Sequence, residues 1–255
     1  MRFLDARRLT GPSVLFDRHG AILDVACTTA EAERLIPVWK KHVKRMLAEI
    51  GWADSEFSSV ILKGGVSMAF TAPIDALYAA SEINEWAWAA CDHDLKGADE
   101  PDFAETVTAI RDSIAAEANP ELIAIEALAA EHGVTFLWDD DEASLGLGCH
   151  SETWPVRELP DRRVLEWDTF KDIPTGLVTG TNGKTTTVRL AAHILRASGY
   201  SDGMSSTDYI AVKGEADFPN FPVTDKCRGT GPSQVRIRGP GSGRIHFVGG
   251  KVVGA

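Results

Sequence analysis

The chain has 255 residues, with 37 acidic against 26 basic side chains and a formal net charge of −11. Hydrophobic residues make up 44% and charged residues 25%, the mixture of a folded globular protein, which excludes a collagen-like or wholly disordered chain. The excess of acids argues against a general nucleic-acid or membrane-surface binder, because phosphate groups would be repelled. The length suits one large domain or two small ones.

The composition changes near residue 216. Residues 216–255 contain two acidic and six basic residues, eight glycines and four prolines, whereas all seven tryptophans lie at or before Trp167. This mixture is unlike a regular second domain. We therefore expect residues 216–255 to form an atypical tail that is poorly ordered or abnormal sequence, such as the product of a frameshift.

The ends and the cysteines indicate a cytoplasmic protein. The first residues contain no apolar core of signal-peptide length, and no stretch reaches the roughly 18 consecutive apolar residues of a membrane span. Four cysteines are scattered without a C-x-x-C pair, which favours reduced thiols over a metal or disulfide framework: Cys27, Cys91, Cys149 and Cys227. His150 adjoins Cys149, but a nucleophile and its base must meet through space, so we expect no catalytic pair there.

Two strands and a long helix are predicted first. Ser13–Phe16 and Ala21–Ala26 are short apolar runs separated by a turn. Thr28 and Glu31 then have the spacing of a capping box, which predicts the start of a helix that Gly51 ends.

A hairpin and three more helices follow. Ser59–Lys63 and Val66–Thr71 flank a Gly-Gly pair, which is typical of a tight turn between two strands. A helix opens at Pro73 and continues to about Asp92. Later elements are predicted as helices over Asp102–Ala116 and Asn119–His132, with Asn119 as the N-cap, and as a strand over Val134–Trp138. Residues 139–175 are predicted to be mostly connecting.

A glycine-rich segment carries the chemistry. The run Thr175–Thr179 predicts a strand, Gly180–Thr187 forms a loop, and the apolar spacing after it predicts a helix that ends at Gly199. Strand, glycine loop and helix in this order are the context of a phosphate-binding loop. In such a loop Lys184 can reach the β- and γ-phosphates, and the Thr185 hydroxyl can ligate Mg²⁺.

One position departs from the general phosphate-loop pattern. The pattern G-x-x-x-x-G-K-[ST] requires glycine six residues before Lys184, and that position is Val178. The alternative interpretation is therefore a glycine-rich turn between a strand and a helix that binds no phosphate.

The loop sequence, including this departure, resembles the loop of one family. Thr179–Thr187, with the sequence T-G-T-N-G-K-T-T-T, resembles the nucleotide loop of the Mur ligase superfamily, whose form G-T-x-G-K-[ST] needs no glycine at the earlier position. The superfamily includes the peptidoglycan-building Mur ligases, folylpolyglutamate synthetase and cyanophycin synthetase. Gly203–Ile210 is similar to the segment after this loop in the cyanophycin synthetase branch. Arg7–Pro12, Glu82–Trp86 and Leu145–Gly148 are similar to parts of the N-terminal domain of that branch.

The resemblance implies a fold and a reaction. The fold is α/β, with an N-terminal α+β domain over residues 1–172 and an incomplete P-loop βαβ unit, like the Mur central domain, over residues 173–215. The reaction is ATP-dependent joining of a carboxylate to an amine through an acyl phosphate, with ATP and Mg²⁺ bound. By position the residues would be Lys184 as the catalytic group, Gly180, Thr181, Asn182, Gly183, Lys184, Thr185 and Thr186 on the nucleotide, and Thr185 and Thr207 on magnesium.

Parts of the family pattern are missing. In the cyanophycin synthetase branch an ATP-grasp domain separates the two domains, whereas here only a connector over residues 139–172 does so, and cyanophycin synthesis itself is not expected. Family members also carry a later Glu and His as metal contacts, and neither stands in recognisable surroundings after Glu215. We expect a chain truncated after the P-loop region that binds phosphate weakly and does not turn over.

Two other functions stay open. One is a non-catalytic nucleotide-binding or truncated fragment. The other is an unrelated P-loop ATPase or kinase, which would need an Asp on a later apolar strand to help hold Mg²⁺. For the ligase, the expected partners are small-molecule or peptide carboxylates and amines, without nucleic acid or membrane, and the oligomeric state is open.

Three further groups are expected to be structural. Asp139–Glu142 is predicted to be a solvated loop or helix cap and not a site for a hard cation. Trp86 and Trp88 point to different sides of a helix, so one ring should pack in the core and the other cover an edge. His42 and His132 are predicted to lie on charged helix surfaces.

Overall fold

The computed structural model describes residues 1–99, 101–206, 210–212 and 215–216, together with four residue pairs between positions 233 and 249. The protein is mixed α/β, and its contacts divide it into two units, residues 1–124 and 125–255. The expected boundary near residue 172 stays a prediction. The expectation for residues 216–255 falls almost wholly outside the described residues. No helix among the described residues is both long enough and apolar enough to cross a membrane.

The first unit packs helices on one face of an antiparallel sheet. Its elements among the described residues are β1 (Arg2–Leu9), β2 (Gly20–Ala26), α1 (Thr29–Ile50), β3 (Phe57–Leu62), β4 (Gly65–Thr71), α2 (Leu77–Lys96) and α3 (Phe103–Glu117). Its strands follow the order β1-β2-β4-β3.

The core of this unit lies between the central strands and the helices. Opposite residues in β2 and β4 pair as Ala21 with Phe70 and Leu23 with Met68, and all four side chains are fully buried. They share one face of the sheet because side chains alternate along a strand. Apolar residues of α1, Trp39 among them, cover this face.

The beginning of α1 confirms the predicted capping box. The Thr28 hydroxyl accepts from the Glu31 backbone N–H at 3.3 Å, and the Glu31 carboxylate accepts from the Thr28 backbone N–H at 2.8 Å. Gly51 ends the helix with φ 86°, a left-handed conformation that favours glycine. The sequence predicted both ends of the helix because a cap depends only on residues a few positions apart in the chain.

The prediction of a first strand over Ser13–Phe16 is wrong. The Ser13 hydroxyl accepts from the Phe16 backbone N–H at 3.2 Å, and the Ser13 N–H donates to the Phe16 carbonyl at 2.7 Å, so this segment closes a local turn. The strand that pairs with β2 is β1, whose charged residues hide its periodicity. The tertiary pairing with β2 therefore decided this element.

The beginning of α2 is capped from a distance. The helix starts at Leu77 and not at Pro73, and its N-cap residue Ala76 has no side chain that can accept. The carboxylate of Glu117, at the end of α3, instead accepts from the backbone N–H groups of Tyr78 at 2.9 Å and Ala79 at 2.7 Å. Burial raises the pKa of this carboxyl. One side chain thus satisfies two donors of α2 and ties α3 to it.

Two buried polar contacts join α1 to α2. The Trp39 indole N–H donates to the Asn84 side-chain oxygen at 3.0 Å, and Asn84 is fully buried. His42 lies 2.9 Å from the Asp94 carboxylate and is only 7% exposed. The prediction that His42 lies on a charged surface is therefore wrong, because Asp94 on α2 supplies a partner that lets the ring be buried.

The two tryptophans of α2 confirm the predicted division. Trp86 is buried against Phe103, with ring centroids 5.4 Å apart. Trp88 is half-buried at the edge of the core, 6.2 Å from the ring of Phe3. His132, at the end of the helix α4 (Pro120–His132), is exposed as predicted.

The second unit contains four small antiparallel sheets in its described residues, two of three strands and two of two strands. The helix α4 (Pro120–His132) crosses the division between the units, and the Asn119 side chain caps it by accepting from the Leu122 N–H at 3.1 Å, as predicted. Residues 139–175 were expected to be mostly connecting, and two strands over Glu142–Leu145 and Glu152–Pro155 correct this. The other elements are β5 (Phe136–Trp138), β6 (Glu142–Leu145), β7 (Glu152–Pro155), α5 (Lys184–Ala197), β8 (Gly203–Ser205), β9 (Ile210–Val212) and β10 (Glu215–Ala216). Four two-residue strands follow, namely β11 (Ser233–Gln234), β12 (Ile237–Arg238), β13 (Arg244–Ile245) and β14 (Val248–Gly249).

The cap from Glu117 gives a first test of the fold. We predict that Glu117→Ala lowers the free energy of unfolding by about 1–2 kcal/mol, because two N–H groups of α2 lose their acceptor. Urea unfolding followed by tryptophan fluorescence measures this. The control is Glu85→Ala, which changes an exposed glutamate on α2, and an equal loss in both variants would contradict the cap.

Asp94 predicts a dependence on pH. The hydrogen bond from His42, followed by that from Lys41, lowers the pKa of Asp94 below its ordinary 3.8. A lowered folded-state pKa stabilises the fold above the ordinary value and loses that contribution as the pH falls through the folded value. The stability difference between wild type and Asp94→Asn should therefore be present at neutral pH and shrink below the ordinary pKa.

Urea unfolding of the two proteins at several acidic pH values measures this difference. Asp112→Asn, an exposed acid on α3, is the control and should show little difference from wild type at any pH. A difference for Asp94→Asn that stays constant down to the lowest pH would contradict the prediction.

Candidate functional site

A tight turn anchors the chain that leads to the glycine loop. The Leu147 N–H donates to the Lys171 carbonyl at 3.0 Å, and the Asp172 carboxylate accepts from the Thr135 hydroxyl at 2.6 Å. Phe170 is buried in the small core that lies against the sheet of β5, β6 and β7. Gly146 has φ 72°, and a side chain there would meet the carbonyl of Lys171. The Leu145–Gly148 motif thus lets the backbone of residues 170–173 lie directly on the turn after β6.

The predicted strand over Thr175–Thr179 is not formed. Residues 174–179 have no regular secondary structure, and every one of them is exposed, with Leu177 71% and Val178 37% accessible. A strand requires a neighbour to pair its N–H and C=O groups. No described strand lies beside this segment, so the strand of the expected βαβ unit is absent from the described residues.

The glycine loop, residues 180–183, turns the chain into α5. Gly180 has φ 142° and Gly183 has φ 80°, both in the range that favours glycine. Gly183 is the N-cap of α5 and brings no side chain to the end of the helix. Thr181 and Asn182 are exposed between the two glycines. The glycines therefore place an open turn at the positive end of a 14-residue helix.

Lys184 is the first residue of α5 and folds back over the glycine loop. Its ammonium group donates to the Gly180 carbonyl, and it lies 3.5 Å from the Thr181 carbonyl. Thr185 beside it is half-buried, and Thr186 is exposed. The structure thus brings the predicted phosphate residues together in one exposed turn. Thr207, the predicted second magnesium contact, lies outside the described residues.

The helix α5 buries less than its pattern indicates. Val188 and Ala192 pack against Met204 and Ala211 of β8 and β9. The sequence predicted a wider apolar face, but the remaining large members of that face are 45–57% exposed, namely Leu190, Ile194 and Leu195. The strands that pack on α5 cover only one side of it.

An ion pair between a half-buried arginine and a buried carboxylate closes the turn after α5. Arg196 lies 3.3 Å from the carboxylate of Asp202, whose side chain is 2% exposed. Sequence analysis did not single out this pair. A single Arg and Asp six residues apart give no local signal, and only the return of the chain into β8 brings them together.

Two other candidates have structural surroundings. The Asp139 carboxylate accepts from the Asp141 N–H at 2.9 Å and the Glu142 N–H at 2.8 Å, which forms the turn between β5 and β6. No cluster of three acidic, His or Cys side chains is placed to hold a metal within the described part of the chain. His150 is exposed, and the side chain of Cys149 lies outside the description. Cys27 and Cys91 are free and buried.

Part of the chain is similar to cyanophycin synthetases. It is 45% identical over 65 residues to the cyanophycin synthetase of Synechocystis sp., a match that covers 26% of this chain and 7% of that protein. It is 47% and 51% identical over 53 residues to those of Crocosphaera subtropica and Geminocystis herdmanii, matches that cover 18% of this chain and 6% of each relative. No family model matches the chain. The chain therefore aligns with less than a tenth of the length of each of these relatives.

The anchoring turn is testable. Gly146→Ala should lower the free energy of unfolding by about 2 kcal/mol or more, because a side chain at positive φ is strained and would press on backbone that cannot give way. Gly176→Ala is the matched control, since nothing lies within 4 Å of a methyl group there. Thermal unfolding followed by tryptophan fluorescence compares the two, and equal melting temperatures would contradict this account of the turn.

Proposed function

We propose that the chain is part of an ATP-dependent ligase that joins a carboxylate to an amine through an acyl phosphate, as in the Mur ligase superfamily. The observation that carries the proposal is the glycine turn at the N-terminus of α5, with Lys184 folded over it. The partial similarity to three cyanophycin synthetases supports it independently.

The start of α5 suits an anionic ligand. In each of the other four α-helices of the described residues, a side-chain oxygen accepts from a backbone N–H of the first turn. The residues that supply these oxygens are Thr28, Glu117, Asp102 and Asn119. The helix α5 begins at Gly183, and its first turn contains no acidic residue. The positive end of a helix and an adjacent ammonium group attract phosphate together. The carbonyls that now accept from Lys184 would be replaced by phosphate oxygens.

The residues present fit a nucleotide accompanied by magnesium. A lysine ammonium group and the backbone N–H groups of a glycine loop donate to the oxygens of a triphosphate. The oxygen of a threonine hydroxyl at the start of the helix is a ligand that suits Mg²⁺. Thr185 would hold the metal, which would neutralise charge on the phosphates. Thr207 remains part of the proposal as a second contact.

The proposed reaction balances as follows. A carboxylate oxygen of the acid substrate attacks the γ-phosphorus of ATP, the bond to ADP breaks, and an acyl phosphate forms. The nitrogen of the amine substrate then attacks the carbonyl carbon, phosphate leaves and the nitrogen loses a proton, which gives an amide. Lys184 would stabilise the negative charge on the phosphoryl group during its transfer, and the loop amides would hold it in place.

A second candidate is nucleotide binding without catalysis. It is favoured by the exposure of residues 174–184, because phosphoryl transfer is stabilised best where water is excluded. In that case the site would bind ATP and release no product. The two candidates differ only in turnover, so the same protein preparation can distinguish them.

The phosphate loop is tested by nucleotide binding. Lys184→Ala should weaken the affinity for Mg·ATP about tenfold or more, since a hydrogen bond to a charged group is worth about 1.5–3 kcal/mol. Calorimetric titration measures this in the full chain. Lys171→Ala, which removes an exposed lysine outside the loop, is the control and should bind as wild type does. An unchanged affinity for Lys184→Ala would show that the glycine turn is not a phosphate loop.

Turnover is tested separately. ADP release is measured in Mg·ATP with N-acetylated amino acids as carboxylates and amino-acid amides as amines, and again with either set left out. Release that requires both a carboxylate and an amine supports the ligase. Binding that depends on Lys184, without any such release, supports the non-catalytic candidate.

A further inference from the structure

The edge strand β3 leaves main-chain groups open along one side of the first sheet. Among the described residues it pairs with β4 alone, at one end of the order β1-β2-β4-β3. The Thr71 N–H donates to the Glu56 carbonyl at 3.0 Å, which fixes the alternation of the ladder. Ser58 and Val60 therefore bond toward β4, and the N–H and C=O groups of Phe57, Ser59 and Ile61 point away from it.

This edge lacks the features that protect edge strands. Natural edges are blocked by charged residues, proline or bulges. The opposite edge, β1, carries Arg2, Asp5, Arg7 and Arg8 and has a register shift after Phe3. Strand β3 contains no charge and no proline, and its register with β4 is continuous. Ile61 and Leu62 are also 38% and 55% exposed. The edge is thus open to a further strand.

Two lysines of α1 flank the open edge. The ammonium groups of Lys40 and Lys44 lie 5.2 Å and 5.8 Å from the ring centre of Phe57, the first residue of β3. Neither pairs with a carboxylate among the described residues, whereas Lys41 on the same helix pairs with Asp94 at 3.1 Å. Within the described part of the chain, the edge therefore combines open backbone groups with two positive charges that lack a counterion.

We propose that the β3 edge binds an extended segment of a partner polypeptide that carries acidic residues at alternate positions. Its main chain would pair with Phe57, Ser59 and Ile61, and its carboxylates would lie against Lys40 and Lys44. Both ammonium groups lie within 6 Å of the Phe57 ring centre, so carboxylates at alternate positions of a strand paired beside Phe57, about 7 Å apart, would lie near both. This proposal is independent of the nucleotide site.

A second copy of the chain fits the edge less well. Strand β3 has no acidic residue, so a copy paired through the same strand would bring no carboxylate to the lysines. The net charge of −11 also makes two copies repel each other. A short acidic segment meets less of this repulsion and satisfies both lysines.

The test uses a fluorescein-labelled peptide of seven residues that alternates valine and glutamate, titrated with the full chain and read by fluorescence anisotropy. Lys40→Gln combined with Lys44→Gln should raise its Kd roughly tenfold, and added salt should weaken binding to the wild type. The control, Arg34→Gln combined with Lys171→Gln, removes the same two charges elsewhere and should stay within about twofold. A peptide of alternating valine and lysine should not bind.

Main-chain pairing has its own variant. Ser59→Pro removes an N–H that points away from β4, so it should abolish peptide binding and keep the fold, while Ser59→Ala keeps the N–H and should bind normally. If Ser59→Pro lowers the melting temperature, its loss of binding is not informative, and the variant with Lys40→Gln and Lys44→Gln tests the proposal instead. Equal binding of both peptides, or no effect of the lysine pair, would overturn the proposal. So would a wild-type dimer in sedimentation velocity that Ser59→Pro converts to monomer, because the occupant would then be a second copy.

Discussion

The need of backbone N–H groups for acceptors determines much of this structure. A helix leaves its first N–H groups without partners, and each must find one. In α1 and α4 the partner is local, from Thr28 and Asn119. In α2 it comes from Glu117 on another helix, which ties the two helices together. In α5 the N-cap is Gly183, without a side chain, and the adjacent charge is the ammonium of Lys184.

The same requirement governs the strands. Strands β2 and β4 have neighbours on both sides and form the buried centre of the first sheet. Strand β3 has a described neighbour on one side only, and its outer N–H and C=O groups have no partner in the part of the chain that the structure describes. Residues 175–179 have the composition of a strand but no described neighbour, and they have no regular secondary structure and are exposed. Strand-forming sequence is therefore necessary but not sufficient, because the pairing partner lies elsewhere in the chain.

How far the sequence predicted the structure follows from the range of each interaction. The capping box of Thr28, the cap by Asn119 and the hairpin at Gly64 are made within a few residues, and all three predictions are confirmed. Burial of His42 depends on Asp94, and the strand at residues 2–9 depends on β2, so neither was predicted. At the candidate site the glycine turn and the helix after it are formed, and the roles of their residues remain proposals.

The sequence by itself determined the local elements: the caps, the hairpin turn and the glycine turn that ends in Lys184. Each depends on residue type and on spacing of a few positions, which the chain fixes before it folds. The tertiary structure alone decided that Glu117 caps α2, that Gly146 and Asp172 hold the chain ahead of the glycine loop, and that Lys40 and Lys44 stand beside an open edge strand. These contacts join residues far apart in the chain, and the packing of helices and sheets brings them together.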